Sequence, residues 1–581
     1  MNRIRLHEII RYATAIMATG LLLLPCVLRT RDVPSMQDTV CFGVIAALCS
    51  LALCAVLVVG IARHLVLRWH WMDAVAGGWW LWMAANYWLL SPFPAVLEVH
   101  EATALFWAYA ALRVIVPLCS GMFRRVWLVG LWLTGSYEAV VGLCQLFGLS
   151  HSYHAWYAMT GTFFNSGPYS IFVALTLSTT IAVAFRSEIN GAKGVTGAAW
   201  VVMALCLLAL VGTWSRTAWL AIVIVATVFF WKQGYLRTVC IGSVILICVG
   251  IAAYFLKQDS ADGRVLMTLV SVQAWLDKWL VGYGVGSFAH VYGEAQADFF
   301  TANPDSPLAV VAGNPEYAFN ALLGIGMEQG SIGMILTLTL SLWSLCTLLR
   351  QGDVSAYGWL ALLMASMFSY PFTLWPFRLL AVGWTAIAVS GQAGTRAARW
   401  WQPTLVALSL GVAVWISVSL YHRTVRRVTI YEEYSRLRGT QDMAFVDDFR
   451  HMMDALDDCP DYLFTYGMAL RDLGRYNDSN AVLRQGTLVS CDPMFYIIMG
   501  NNYRDLGAVA EAEAAYCKAF NLLPYRIYPL YRLMKLYEET GQETRARRAA
   551  HRVANFPVKV DSPAVRQMKE EARQRLATPL E

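Results

Sequence analysis

The stretch Val40–Ala62, VCFGVIAALCSLALCAVLVVGIA, is apolar on every side and carries no charged side chain. A helix that rises 1.5 Å per residue needs about 20 such residues to cross the ~30 Å hydrocarbon core of a bilayer. A helix at a soluble protein's surface keeps a polar face, so a run of this kind marks a membrane span. Carried outward along the chain, the same ruler gives thirteen spans: 12–29, 40–62, 70–90, 102–120, 126–148, 167–186, 196–213, 217–232, 237–256, 319–348, 355–371, 377–393 and 403–421. The apolar run near the N-terminus, from about Ala13 to Leu28, is followed by no small-x-small cleavage site, and we read it as the first anchor.

Composition agrees. Of 581 residues 57% are hydrophobic and only 14% charged, with a mean hydropathy of +0.48, which points to lipid as the solvent for most of the chain. The net charge of +6 does not describe a nucleic-acid surface, because most basic residues flank apolar runs and act as topology signals. With a cytoplasmic N-terminus, the inside loops hold Arg3, Arg5, Arg11, Arg63, Arg68, Arg124, Arg125, Arg186, Lys193, Lys232, Arg237, Arg350, Arg396 and Arg399. The outer turns hold Arg29, Arg31, Arg216 and Arg378, and the pair Arg29 and Arg31 runs against the rule. An odd number of spans places the C-terminal tail outside the cytoplasm.

That tail, residues 426–581, is polar and helix-favouring, and it follows a membrane domain over 1–425. Its sequence repeats: Leu473-Gly474, Leu506-Gly507 and Thr540-Gly541 stand 33 and 34 residues apart, and Pro493, Pro524 and Pro557 keep a similar beat. Glycine at the turn of a helix pair and proline near its end resemble the tetratricopeptide repeat, which stacks into a solenoid that binds peptides or partner proteins. Thirteen cysteines include ten in or beside apolar runs, and Cys459, Cys491 and Cys517 in the tail allow at most one disulfide there.

Polar residues cluster on the outer face. Gly161-Thr162-Phe163-Phe164-Asn165-Ser166-Gly167-Pro168-Tyr169 opens the sixth span, and Ser215-Arg216-Thr217-Ala218-Trp219-Leu220 opens the eighth. The outer segment 257–318 holds Gly263-Arg264 and Gly282-Tyr283-Gly284-Val285-Gly286, and Phe319-Asn320 with Glu328 opens the tenth span. Arginine beside a bilayer is costly unless solvated or paired, and at a helix N-terminus it joins free N–H groups in a setting that suits phosphate. Interfacial anchoring of Arg216 and Arg264 is the competing reading. Arg113 lies inside the fourth span with no partner evident in the sequence.

In this order the blocks resemble the O-antigen ligase and O-antigen polymerase superfamily over about 135–340, and a tetratricopeptide tail also occurs in members of that family. The resemblance implies an all-helical, polytopic bundle and a glycosyltransferase that needs no metal or cofactor. It implies transfer of a glycan from an undecaprenyl-pyrophosphate carrier to an acceptor hydroxyl, lipid A-core first, at the periplasmic face of a bacterial inner membrane. Arg216 and Arg264 match the arginines that family members use on the pyrophosphate, and Asn165 and Tyr169 fall in a matching turn. The family's usual His before Asn320 is Phe319 here. Glu316 and His290 are the substitutes as base, Glu316 equally a partner for Arg264 and His290 equally an ordinary loop residue. Asn320 and Glu328 complete the expected set, Glu328 to orient an arginine, bind sugar hydroxyls or cap. Ligase, polymerase and protein O-glycosyltransferase share this donor chemistry. A transporter or a scaffold for the repeat domain is a reading of another class, with an envelope protein or peptide as partner of the tail. An alkaline phosphatase fused to the C-terminus is expected to be active, as it is only outside the cytoplasm; a stable but inactive fusion contradicts the thirteen-span count.

Overall fold

The computed structural model describes residues 3–28, 33–61, 69–119, 121–186, 193–256, 258–391, 402–440 and 446–577. Arg29, Arg31, Arg63, Arg68, Arg396 and Arg399 lie outside them. The described residues form helices and no strand. Nine helices come first: α1 (Arg3–Leu23), α2 (Met36–Ile61), α3 (Trp71–Leu90), α4 (Val96–Cys119), α5 (Gly121–Leu146), α6 (Ser166–Ala184), α7 (Lys193–Thr213), α8 (Arg216–Lys232) and α9 (Leu236–Leu256). The outer segment folds as α10 (Gln258–Asp277) and α11 (Phe288–Ala302), and the membrane part continues with α12 (Ala321–Arg350), α13 (Ser355–Ser366), α14 (Trp375–Ser390) and α15 (Gln402–Thr440). The tail holds α16 (Val446–Leu456), α17 (Pro460–Asp472), α18 (Tyr476–Val489), α19 (Pro493–Asp505), α20 (Val509–Leu522), α21 (Tyr528–Glu539), α22 (Glu543–Ala554) and α23 (Pro563–Ala577).

Each of the thirteen expected spans falls on a helix. Among the described residues, eight helices are long and apolar enough to cross a membrane: α1, α2, α4, α5, α6, α7, α12 and α15. α6 is the innermost, buried around nearly its whole circumference. Its hydroxyls return to the helix's own carbonyls, Thr176 to Phe172 at 3.0 Å and Ser178 to Ala174 at 2.8 Å, so these groups stay satisfied without water. Gly135 of α5 meets it so closely that a Cβ there would stand 2.3 Å from the Thr176 side chain, a small-residue approach that brings two apolar helices into dispersion contact.

Arg113 does have a partner. Its guanidinium grips Asp73 of α3 with Nε–Oδ1 at 2.7 Å and Nη2–Oδ2 at 3.1 Å, and Tyr109 donates to the same carboxylate at 2.6 Å. The sequence hid this pair because its members sit on separate helices. Such a forked, multiply hydrogen-bonded arrangement is what makes a buried charge tolerable.

α15 runs 39 residues, or ~58 Å, which is long enough to cross the core and project beyond it as one rigid rod. Its first part packs on α2, where a Cβ on Gly43 would stand 3.5 Å from the Tyr421 ring. Its later part is fastened to the tail. Arg427 pairs with Asp458 at 2.9 Å, and the fully buried Tyr434 places its hydroxyl 2.9 Å from both Asp461 and Thr465.

The tail helices pair across turns at Gly474, Gly507 and Gly541, with φ of 72°, 76° and 69°, a left-handed conformation that glycine adopts without a Cβ clash. α11 packs against α18 and α20 of this domain. Glu294 meets Lys518 at 2.6 Å and the Tyr496 hydroxyl at 3.1 Å. Gln296 donates to the Leu522 carbonyl at 2.7 Å, Asn521 donates to Thr301 at 2.9 Å, and a Cβ on Gly293 would stand 2.6 Å from that of Cys491. Cys459, Cys491 and Cys517 are free thiols.

Candidate active site

The outer segment is tied to the membrane bundle by backbone. α12 is broken at Gly330, whose φ of 66° and ψ of −167° leave the helical region, and the break exposes peptide groups that the helix cannot satisfy internally. The end of α10 and the glycine turn supply the partners. Tyr283 N–H donates to the Met327 carbonyl at 2.8 Å and Gly284 N–H to that of Glu328 at 2.9 Å. In return Ser331 N–H donates to Trp279 at 2.8 Å and Ile332 N–H to Leu280 at 3.3 Å. Asn86 of α3 holds the other side, donating to the Val281 carbonyl at 2.8 Å and accepting from Val285 N–H at 2.9 Å. The glycines are required by space as well as by φ. A Cβ on Gly282 would lie 2.5 Å from the Glu328 carbonyl, one on Gly284 2.5 Å from the Ser91 Cα, and one on Gly330 2.2 Å from the Leu280 oxygen.

With α10 so fixed, two arginines converge. Arg216 is the first residue of α8, capped by Ser215, which is held in turn by Ser170 of α6 at 2.7 Å. Trp214, in the left-handed region with φ of 52°, makes the sharp turn that aims the helix start. The Arg216 guanidinium reaches Ser260 in the first turn of α10 at 3.2 Å. Arg264 stands four residues on, on the same face of that helix. Its guanidinium lies 5.6 Å over the Phe319 ring and makes no ion pair with a described residue. Burial and then the positive charge of Arg216 pull its pKa below the ordinary guanidinium value.

Residues 201–338 match the O-antigen ligase family model. The match takes in both arginines, the glycine turn and the Phe319-Asn320 start of α12, and begins after the Gly161–Tyr169 turn. No curated protein matches the chain. The ligase-type segment thus contains the two charges that the geometry brings together, and most of the helix break that supports them.

Several expected site residues of this chain carry structural tasks. His290 points away from the arginines, its Nδ1 2.8 Å from the Thr487 carbonyl and its ring against Phe93, so it joins α11 to the tail. Asn320 caps α12, accepting from Leu322 and Leu323 N–H at 3.0 and 3.2 Å. Asn165 caps α6 by accepting from Gly167 N–H at 3.0 Å, and Tyr169 is fully buried against Gly142. Glu328 accepts from Phe288 N–H at 3.3 Å and orders the turn without meeting an arginine. Glu316 alone among the proposed bases is exposed, on the segment that leads from Arg264's aromatic neighbour into a large cavity.

That cavity, about 1010 Å³, was not foreseen. It opens beside the arginine pair, with Phe319 edge-on to Tyr370 at 5.4 Å as the wall between. Asp38, Glu98, Glu101 and Arg378 surround its upper part, and Arg378 pairs with Glu101 at 2.5 Å. Glu138 and Gln145 of α5 were also missed: Glu138 accepts from Thr162 N–H at 3.0 Å, and Gln145 from the N–H groups of Thr160 and Gly161 at 2.8 Å each, so they hold the turn before α6. An acidic residue inside an apolar span was the available signal.

Gly284→Ala is expected to combine backbone strain of about 1–3 kcal/mol with crowding of about 1–3 kcal/mol. Gly474→Ala, with φ of 72° and open space around it, carries strain of about 1–2 kcal/mol alone. Thermal unfolding in nanodiscs should therefore show the larger drop in Tm for Gly284→Ala, and equal drops would contradict the account of the turn.

Proposed function

We propose that the protein transfers a glycan from an undecaprenyl-pyrophosphate carrier to an acceptor hydroxyl at the periplasmic face of the inner membrane. The observation that carries this reading is the convergence of Arg216 and Arg264 at the N-terminus of α8, inside the ligase-type segment. Paired guanidiniums beside free helix N–H groups suit a pyrophosphate, and they stabilise the charge that grows on it as it leaves.

The reaction is a displacement at the sugar's anomeric carbon. The acceptor hydroxyl gives its proton to a base, its oxygen forms the new glycosidic bond, and the bond to the carrier phosphate breaks with its electron pair held by the two arginines. Glu316 is the carboxylate we assign as base. It lines the cavity next to Tyr317 and Tyr370, whereas His290 is engaged by the Thr487 carbonyl and Glu328, though it too lines the cavity, accepts from Phe288 N–H. Phe319, where a histidine was expected, serves Arg264 as an aromatic face.

We read the thirteen apolar helices as spans and the paired helices of the tail as tetratricopeptide-type repeats on the periplasmic side. Lipid A-core, a carrier-linked repeat and a Ser or Thr side chain all offer the hydroxyl this chemistry needs.

In a reconstituted assay with carrier-linked donor and each of those acceptors in parallel, Arg216→Ala and Arg264→Ala should each lower transfer by ~100-fold or more while the protein remains folded in the membrane. Full transfer by either variant would remove the pyrophosphate role.

A further inference from the structure

The cavity beside the arginines has the opposite electrostatic character. Among the described residues Asp38, Glu98, Glu101, Glu316, Glu328 and Asp458 line it, with Arg378 the one cation among them. A carboxyl group serves a hydroxyl in either protonation state, accepting when ionised and donating when protonated. A phosphate finds repulsion there from every ionised one. Among the described residues the Glu98 carboxyl has neither a hydrogen-bond nor an ion-pair partner, and the residue lines the cavity.

The wall also holds polar atoms with no partner. Ser35 and Gln329 are 8% and 5% exposed, both line the cavity, and their Oγ and Oε1 atoms form no hydrogen bond among the described residues, as is true of Thr337 Oγ1. Ser35 further sits in the left-handed region, with φ of 64°. Buried polar atoms are nearly always satisfied in a folded protein, and these three in the cavity wall are open to a hydrogen bond from outside the chain.

Below the acids the lining turns apolar, with Trp79, Leu105, Phe106, Leu340, Trp359 and Val382. Along α12 its lining runs from Ala321 to Ser341, on both sides of the break at Gly330. The cavity is therefore polar and acidic at the outer face and greasy at depth.

We propose that this cavity binds an amphiphile whose head is rich in hydroxyls and free of phosphate, with its apolar tail between α3, α4, α12 and α14. The transfer reading enters only in naming this occupant the acceptor, and there it sets a phosphate-free glycolipid ahead of lipid A-core or a carrier-linked repeat, whose heads carry phosphate. The acid-lined cavity and the arginine pair then divide the work: the cationic site takes the donor's pyrophosphate, and the acidic one takes the acceptor's hydroxyls.

The test uses the full-length protein in nanodiscs, with no donor, and a dodecyl glucoside bearing a photoreactive diazirine in its tail. Crosslinks are expected on α3, α4, α12 and α14. Unlabelled dodecyl glucoside should suppress them about tenfold, while dodecyl phosphate of equal chain length and a Ser/Thr-containing peptide should not. Ala381→Trp, which fills the greasy part, should lower labelling by a similar factor. Glu98→Lys, which breaks no bond seen in the structure, should make dodecyl phosphate a competitor. Suppression by dodecyl phosphate or by the peptide in the unsubstituted protein would overturn the proposal, as would labelling that Ala381→Trp leaves unchanged or a Glu98→Lys protein that still ignores dodecyl phosphate. The readout involves neither Arg216 nor Arg264, so its failure leaves the donor chemistry standing and failure of the transfer assay leaves this binding site standing.

Discussion

The backbone ladder between the glycine turn and the break in α12 is the constraint on which the outer face depends. A helix inside a membrane that opens at Gly330 must find partners for its freed peptide groups from protein, since lipid offers none. Tyr283, Gly284, Trp279 and Leu280 are those partners, and they are backbone groups, so their positions rather than their side chains matter. Because the turn is pressed between α12 and the 91–95 segment, only glycine fits at 282, 284 and 286. α10 and α11 inherit their placement from this clasp. α10 carries Arg264 to Arg216, and α11 receives the tail through Glu294, Gln296 and His290.

From that placement follows a division of charge. A cationic pair and an acid-lined cavity lie on either side of Phe319 and Tyr370. In a region where water is scarce, fields of opposite sign close together are felt strongly, and they sort ligands by charge. The tail contributes to the same enclosure: Asp458, Pro460 and Val489 line the cavity, and the rod of α15 fixes them there through Arg427 and Tyr434.

The sequence carried the helical architecture well, because apolar runs of span length and a regular glycine beat are local patterns. It carried Arg216 and Arg264 for the same reason, as charges that interrupt apolar surroundings. It did not carry the partners that make charges bearable. Asp73 and Arg113 are forty residues apart in sequence and joined only by α3 packing on α4. Glu98 and Glu101 lie just before the expected start of the fourth span at 102, whereas α4 begins at Val96 and takes both in. Asn165 and Asn320 enter the expected site through the family resemblance of their blocks, and in the structure both stand where asparagine caps a helix. His290 looked available because sequence gives no sign of the tail folding back onto α11.

The most direct test is a cryo-EM structure of the protein in nanodiscs with a non-transferable lipid-pyrophosphate glycan bound. The account predicts phosphate density within hydrogen-bonding distance of both the Arg216 and Arg264 guanidiniums, at the N-terminus of α8, with the cavity around Glu98 free of phosphate. Phosphate density among Asp38, Glu98 and Glu101, with the two arginines unengaged, would contradict it.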